Sequence, residues 1–426
     1  MDSVRILWAK ANKLLPVHSG GDIRSYNILR QLATHEEVIF FSYYDGIADR
    51  EYEAQLEQQL PGSVCVCTGK SLDTVWARGF DYLLHLVYAA PYAVSRFASP
   101  VVRKQLRDCI SQLKPDVLVS DFLDAANNFP GSLEVPSVLF QHNVESEIWS
   151  RHAANASNWT RKIVYRLEYS RMMRYEQEAV RRFHHVIAVS DHDKKLMSRW
   201  VEPERITVVP TGVNIEEFCP GEPHGQEKDL VLFVGAMDWE PNIDAAEHFC
   251  ADIWPLILAK VPTARFRIVG RSPHRRVKDL ANVSIEVTGR VSSVVEHLRE
   301  AAVVVVPLRV GGGTRLKIYE AMAVGKALVS TTIGAEGLDV HDGKDVILAD
   351  SPVDFAESVV TLLNNSEARQ RQGEAAAILA KKYGWPLIAD KFSETLRRVV
   401  GKHSDLGAAH PVLTSAALES ESEGKF

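Results

Sequence analysis

Pro307-Leu308-Arg309-Val310-Gly311-Gly312-Gly313-Thr314-Arg315-Leu316-Lys317-Ile318-Tyr319-Glu320-Ala321-Met322-Ala323-Val324-Gly325 reads as the end of a strand, a glycine turn and a helix. The run Val303–Pro307 ahead of the glycines is β-branched and apolar, which suits a buried strand. The helix is expected over Thr314–Val324, with Gly325 where a C-cap glycine belongs. A further strand is expected at Ala327–Thr331. Strand, crossover helix and strand make a unit of parallel sheet, so the segment predicts an α/β fold.

The same alternation extends in both directions. Leu230-Val231-Leu232-Phe233-Val234-Gly235 opens the series, with a helix from about Ile243 capped by Asn242 and strands at Arg265–Val269 and Val283–Val287. A separate series fills the first half: Arg5–Ala9, a Gly20-Gly21 loop, a helix from about Asp22 to Thr34, then Val38–Ser42, Asp116–Ser120, Ser137–Gln141 and Val186–Ser190. Between them Cys219-Pro220-Gly221-Glu222-Pro223-His224-Gly225 has linker composition. The expected division is an N-terminal unit over 1–218, a linker over 219–229, a second unit over 230–384, and a polar disordered tail over 403–426.

Composition narrows the function classes. At 426 residues with 46% hydrophobic and 24% charged residues, each half can bury its own core. A net charge of -6 argues against a nucleic-acid binder. Five scattered cysteines, Cys65, Cys67, Cys109, Cys219 and Cys250, fit reduced thiols, not a disulfide framework or a zinc site. The apolar run Val4–Ala9 is too short for a signal peptide, and no stretch of about 18 apolar residues is present to span a membrane. The expected location is cytoplasmic.

The glycine turn carries the chemistry. Glycines admit a ligand close to the backbone, and a helix N-terminus offers free N–H groups and partial positive charge, which suits a diphosphate. Arg315 and Lys317 lie in the first turn, where cations are unfavourable unless an anion sits between them. Glu320, farther along, is placed to accept ribose hydroxyls.

This segment resembles the C-terminal signature of family 4 of the retaining nucleotide-sugar glycosyltransferases. Further likenesses run from Ile6 to about Arg398: Gly20-Gly21, Val208–Phe218, Phe233-Val234-Gly235, Gly289-Arg290-Val291 and Gly334-Ala335-Glu336-Gly337. The resemblance implies the GT-B fold, two Rossmann-like domains facing across a cleft, with a C-terminal helix over 385–402 crossing back to the first domain. It implies a nucleotide-sugar donor on the second domain, held by Gly235, Gly311, Gly312, Gly313, Thr314 and Glu320. The acceptor, a glycan or lipid-linked glycan, faces the first domain, where Gly20 and Gly21 approach the cleft. His142, in Gln141-His142-Asn143-Val144-Glu145, matches a histidine that approaches the donor sugar. No cofactor or metal is expected.

Two departures matter. The family's first glutamate of the Glu-x7-Glu pair falls on Gly312. The cations that commonly follow Phe233-Val234-Gly235 are absent from Ala236–Asn242, so Arg315 and Lys317 are expected to neutralise the leaving diphosphate. Asp191-His192-Asp193 reads as a helix start after Ser190 rather than a metal site. Asp121 and Asp124 follow a strand end and read as solvated loop acids or acceptor contacts. In Arg161–Phe183 an apolar stripe of Tyr165, Tyr169, Met172, Tyr175, Ala179 and Phe183 reads first as core packing. Its seven cations leave peripheral contact with the inner membrane face open. Two rival functions stand beside transfer: a sugar-nucleotide epimerase or hydrolase of the same fold, and a binding protein that has lost catalysis.

Overall fold

The computed structural model describes residues 3–17, 19–70, 81–82, 85, 90–155, 158–221, 227–310 and 315–409. The first half folds around seven parallel strands in the order β3-β2-β1-β4-β5-β6-β7. These are β1 (Arg5–Ala11), β2 (Glu37–Tyr44), β3 (Val64–Cys67), β4 (Val117–Asp121), β5 (Ser137–Phe140), β6 (His185–Ala188) and β7 (Ile206–Val208). The second half has six parallel strands in the order β10-β9-β8-β11-β12-β13. They are β8 (Leu230–Val234), β9 (Arg265–Val269), β10 (Ile285–Gly289), β11 (Val303–Val306), β12 (Ala327–Ser330) and β13 (Ile347–Leu348). Helices cover both faces of each sheet, so β4 and β11 are buried along their whole length and read as unbroken apolar runs apart from Ser120 and Asp121.

The helices that matter for the site are α1 (Gly20–Leu32), α2 (Glu145–Asn155), α3 (Trp159–Arg182), α4 (Glu240–His248), α5 (Leu316–Ala323) and α6 (Trp385–Ala409). α1 starts two residues ahead of the expected Asp22, because Ser19 and Asp22 close a capping box over its first turn. α4 starts at Glu240 with Pro241 in its first turn, so Asn242 is not its cap; the Asn242 side chain donates instead to the Ala236 carbonyl at 2.9 Å. The strand expected from Val283 begins at Ile285, and Val283 itself is exposed. α5 begins at Leu316, not Thr314.

The two halves are tied by chain crossings. Val213 N–H donates to the Tyr383 carbonyl at 2.7 Å, and Trp385 N–H returns to the Val213 carbonyl at 3.3 Å. Gly212 lies under the Trp385 ring; a Cβ there would sit 2.4 Å from it. From this crossing α6 runs back across the first sheet. Phe392 is fully buried, stacked on Trp8 at 5.2 Å between centroids and edge-on to Phe140 at 5.0 Å. Glu36 receives Ser393 Oγ at 2.6 Å and Arg397 at 2.7 Å, pinning the outer end of the helix. The helix passes the expected limit at 402 and continues to Ala409, so the start of the segment taken for a disordered tail is helical. Residues 410–426 lie outside the described chain.

Candidate active site

Both sheets have the 3-2-1-4 strand order in which connections leave the central strand in opposite directions, opening a crevice at the carboxyl ends. In the first sheet that point lies between β1 and β4. Lys10 on β1 is in register with Asp121 on β4, and Asp121 with Phe140 on β5, so three strand ends deliver Lys10, Asp121 and His142 to one place. Asp121 is buried. It accepts His142 Nε2–H at 2.7 Å and Trp8 Nε1–H at 3.0 Å, and Lys10 Nζ lies 3.5 Å away. Lys10 also reaches Asp22 at 3.4 Å.

The electrostatics follow from that packing. Burial opposes the charge on Asp121, but Lys10 and the donors His142 and Trp8 hold its carboxyl well below the usual range. Burial likewise opposes the charge on Lys10, and Asp121 with Asp22 keeps it raised. For His142 burial wins over the bond to Asp121 and lowers its pKa, which favours the neutral ring. With Nε2 donating to Asp121, Nδ1 is an acceptor; it is buried without a hydrogen-bond partner among the described residues. Phe122, next after Asp121, has φ +73°, a left-handed backbone that costs a bulky residue of order 1–3 kcal/mol and turns the chain sharply at the site.

A cavity of about 700 Å³ opens here. Lys10, Gly20, Gly21, Asp124 and His142 line it from the first half, and Asp238, Trp239 and Arg271 from the second. A Cβ on Gly21 would stand 4.0 Å from the His142 ring, so the absent side chain keeps that wall open. Asp124 is not a solvated loop acid: burial and the neighbouring Asp121 push it up to about 6. Beside it Glu145, at the start of α2, is pushed up to about 8 by burial, Asp124 and Glu176. Glu176 on α3 is fully buried and accepts the Glu145 and Ser146 N–H groups at 2.9 and 3.1 Å. The N-terminus of α2 is therefore occupied from within the protein.

In the second sheet the corresponding point lies between β8 and β11. Gly235 follows β8, and its carbonyl would fall 1.6 Å from a Cβ on Gly270, so Gly270 must be glycine for the two loops to meet. Lys317 reaches back from α5 to this spot. Its Nζ lies 2.7 Å from Asn242 Oδ1, 4.9 Å from the centre of the Phe233 ring, and would touch a Cβ on Gly235 at 3.1 Å. Burial and Arg315 push Lys317 down to about 7, with Glu320 opposing. Glu320 is pushed up to about 7 by burial and Glu217. Arg315 goes elsewhere. It is buried, donates to the Ile333 carbonyl at 3.1 Å and lines a small cavity together with Arg151, His192 and Glu336. Arg151 on α2 grips Glu336 with two hydrogen bonds of 2.7 and 2.8 Å, bridging the halves.

The structure thus brings Gly20, Gly21 and His142 together on one wall and Gly235 and Lys317 at one strand end. It separates Arg315 from Lys317. Gly311, Gly312, Gly313 and Thr314 lie outside the described residues. Lys10, Asp22 and the Arg151–Glu336 pair were not singled out from sequence. Their pairing is not marked locally, since Lys10 meets Asp121 and Arg151 meets Glu336 across long stretches of chain. Ser190 caps the helix Asp191–Met197 as expected, and among the described residues no group of three or more His, Cys, Asp or Glu side chains is placed to hold a metal ion.

The family model described as Glycosyltransferase Family 4 matches residues 20–217, and that described as Glycosyl transferases group 1 matches residues 228–365. The chain belongs to glycosyltransferase family 4. Among its family relatives, an uncharacterised glycosyltransferase of Methanocaldococcus jannaschii is 28% identical over 229 residues, covering 52% of this chain and 60% of the relative. The phosphatidyl-myo-inositol mannosyltransferase of Mycobacterium tuberculosis is 23% identical over 237 residues, covering 52% of this chain and 62% of the relative. The chain therefore spans about three-fifths of the length of these curated relatives. Anabaena HepE, solved with UDP and glucose, superposes with a TM-score of 0.63 at 15% identity, covering 93% of this chain and 100% of that one. Sucrose-phosphate synthase from Thermosynechococcus elongatus superposes with a TM-score of 0.67 at 15% identity, covering 93% and 99%. The fold of this family 4 chain is GT-B.

Proposed function

We propose that this family 4 chain transfers a sugar from a nucleotide-diphosphate sugar to an acceptor hydroxyl, with retention at the anomeric carbon. The observation that carries the reading is the Lys317 ammonium seated beside Gly235 at the end of β8, where the sequence lacks the cations otherwise expected after that strand. HepE, of the same fold, was solved with UDP and with UDP-glucose, which supports a nucleotide sugar as the donor class.

In this reading the diphosphate lies between the glycine turn and Lys317. The bond from the anomeric carbon to the phosphate oxygen breaks, and Lys317 stabilises the negative charge that builds on that oxygen. The same oxygen takes the acceptor proton as the acceptor oxygen bonds to the anomeric carbon from the same face. His142, neutral and held by Asp121, offers Nδ1 to a donor-sugar hydroxyl. Glu320 takes the ribose. Arg315, farther off, adds positive potential without touching the phosphates. Charge neutralisation is thus assigned to side chains rather than to a metal ion. The acceptor, a glycan or a lipid-linked glycan, enters the cavity past Gly20, Gly21 and Asp124, and the Arg151–Glu336 bridge holds the cleft closed against water.

A thermal-shift screen against UDP, GDP, ADP and their sugars tests it. At least one pair is expected to raise the melting temperature, because a ligand bound only by the native state stabilises it. No shift with any of them would sink the donor assignment. Release of free sugar or an epimer from donor alone, at a rate matching turnover with acceptor, would instead identify a hydrolase or epimerase.

A further inference from the structure

The first turns of α3 are built the wrong way round for a helix that only packs on its own protein. Glu168, Met172, Glu176 and Ala179 form its buried face, and Tyr165 packs on Trp149 and His152 of α2. The expected inner stripe is largely there. On the opposite side, Trp159, Ile163 and Leu167 follow one another at four-residue spacing and are 73%, 57% and 47% exposed. Side chains at i, i+4 and i+8 share one face of a helix, so these three form a continuous apolar ridge pointing away from the domain. Val164 beside it is 44% exposed.

The charges around the ridge say what covers it. Lys162 and Arg166 border it along one side, and neither makes an ion pair among the described residues. No acidic residue occurs from Trp159 to Leu167, and Glu168, the first one, is buried on the inner face where it pairs with Arg171. An apolar ridge with an unneutralised basic margin and a tryptophan at its tip is complementary to an anionic bilayer surface: the ridge enters the headgroup boundary, the cations meet lipid phosphates, and the indole sits at the interface.

We infer that Trp159, Ile163 and Leu167, bordered by Lys162 and Arg166, dock this chain on an anionic lipid surface. The ridge belongs to the helix packed against α2, whose own start lines the cleft, so docking sets the acceptor side of the cleft close to the membrane. The inference concerns the surface alone and stands or falls independently of the donor chemistry.

Co-sedimentation of the full chain with vesicles decides it. Phosphatidylcholine vesicles carrying about 30 mol% phosphatidylglycerol should bind the protein, pure phosphatidylcholine vesicles much less, and added salt should release it. Trp159→Ser/Ile163→Ser/Leu167→Ser should weaken binding by roughly tenfold or more, since the apolar area entering the boundary is lost. Lys162→Gln/Arg166→Gln should weaken binding to the anionic vesicles by roughly 30-fold and largely remove the preference for them. All five side chains lie outside the core, so the circular dichroism and melting temperature of both variants should match the parent. The inference is overturned if the parent ignores anionic vesicles, or if both variants bind them as the parent does. It is equally overturned if the parent fails to bind vesicles but self-associates in sedimentation velocity through the serine-substituted ridge, which would make a second copy the occupant.

Discussion

His142 Nε2 and Asp121 Oδ1 are 2.7 Å apart inside the protein, which fixes the imidazole as a donor on one nitrogen and an acceptor on the other. Asp121 does not need to touch substrate to matter. It chooses the tautomer that leaves the buried Nδ1 as an acceptor without a partner among the described residues. Asp121→Asn keeps the shape but lets the amide present either a donor or an acceptor to the ring. Turnover is expected to fall on the order of 100-fold with the nucleotide melting-temperature shift intact. Asp121→Ala should cost about 3–5 kcal/mol in urea denaturation, because Lys10 loses its fully buried counter-ion and the Trp8 and His142 donors lose their acceptor. Turnover in Asp121→Asn equal to the parent's would remove Asp121 from the positioning role.

The strand–glycine–helix segment and the alternation around it were enough to reach two Rossmann-like units, because buried parallel strands leave long β-branched runs such as Val303–Val306 that resemble little else. His142, Gly21 and Lys317 are legible as candidates because each follows a strand end or a glycine turn. Asp121 was undervalued, since the sequence shows an acid after a strand but not that Lys10, Trp8 and His142 converge on it. Asn242 reads as a helix cap by residue type, whereas the helix already starts at Glu240 and the Asn242 amide receives Lys317. Arg315 is the N-cap of α5 with non-helical backbone, whereas Lys317 lies inside the first turn; their proximity in sequence therefore does not carry them to one place, and Lys317 goes to Gly235 while Arg315 goes to Ile333.

Arg151 and Glu336 make the bidentate contact that joins α2 to the second half. Both side chains are about a quarter exposed, so the pair is expected to contribute about 1 kcal/mol or less to unfolding stability. Its larger effect is on closure of the cleft. Arg151→Ala should leave the melting temperature nearly unchanged, increase the radius of gyration in small-angle scattering, and raise donor hydrolysis relative to transfer as water enters. An unchanged scattering profile together with an unchanged hydrolysis ratio would show that other contacts keep the halves together.

Glu145 gives a stability signature with a definite sign. Its folded pKa, about 8, lies above the ordinary carboxylate value, so the native state binds more protons than the unfolded chain between about pH 4.5 and 8. Its contribution to stability is therefore fully present below that window and is lost as pH rises through it, at up to about 1.4 kcal/mol per pH unit. Glu145→Gln removes the titrating group and keeps the volume. Urea denaturation at pH 5, 6, 7 and 8 should show the variant gaining on the parent as pH rises. Parallel curves for the two proteins would mean that Glu145 is ionised in the native state throughout.

Lys317 has the opposite bias, and it bears directly on donor binding. Burial and Arg315 bring its pKa down to about 7, so above neutral pH the empty site holds a neutral amine. A diphosphate needs the ammonium, so binding must take up a proton in that range and affinity should fall by up to about tenfold for each pH unit above 7. A nucleotide-diphosphate sugar is the right probe, because its esterified phosphates do not titrate there. Calorimetry at pH 6.5, 7.5 and 8.5, in buffers of different ionisation enthalpy, should register the proton uptake as a buffer-dependent heat. Lys317→Met keeps the length and apolar stem of the side chain without the charge. It should bind more weakly at every pH, lose the pH dependence and the proton uptake together, and turn over on the order of 100-fold more slowly. If Lys317→Met retained the parent's pH dependence, the titrating cation would lie elsewhere, and the ammonium beside Gly235 would be reduced to a strut between α5 and the Asn242 side chain.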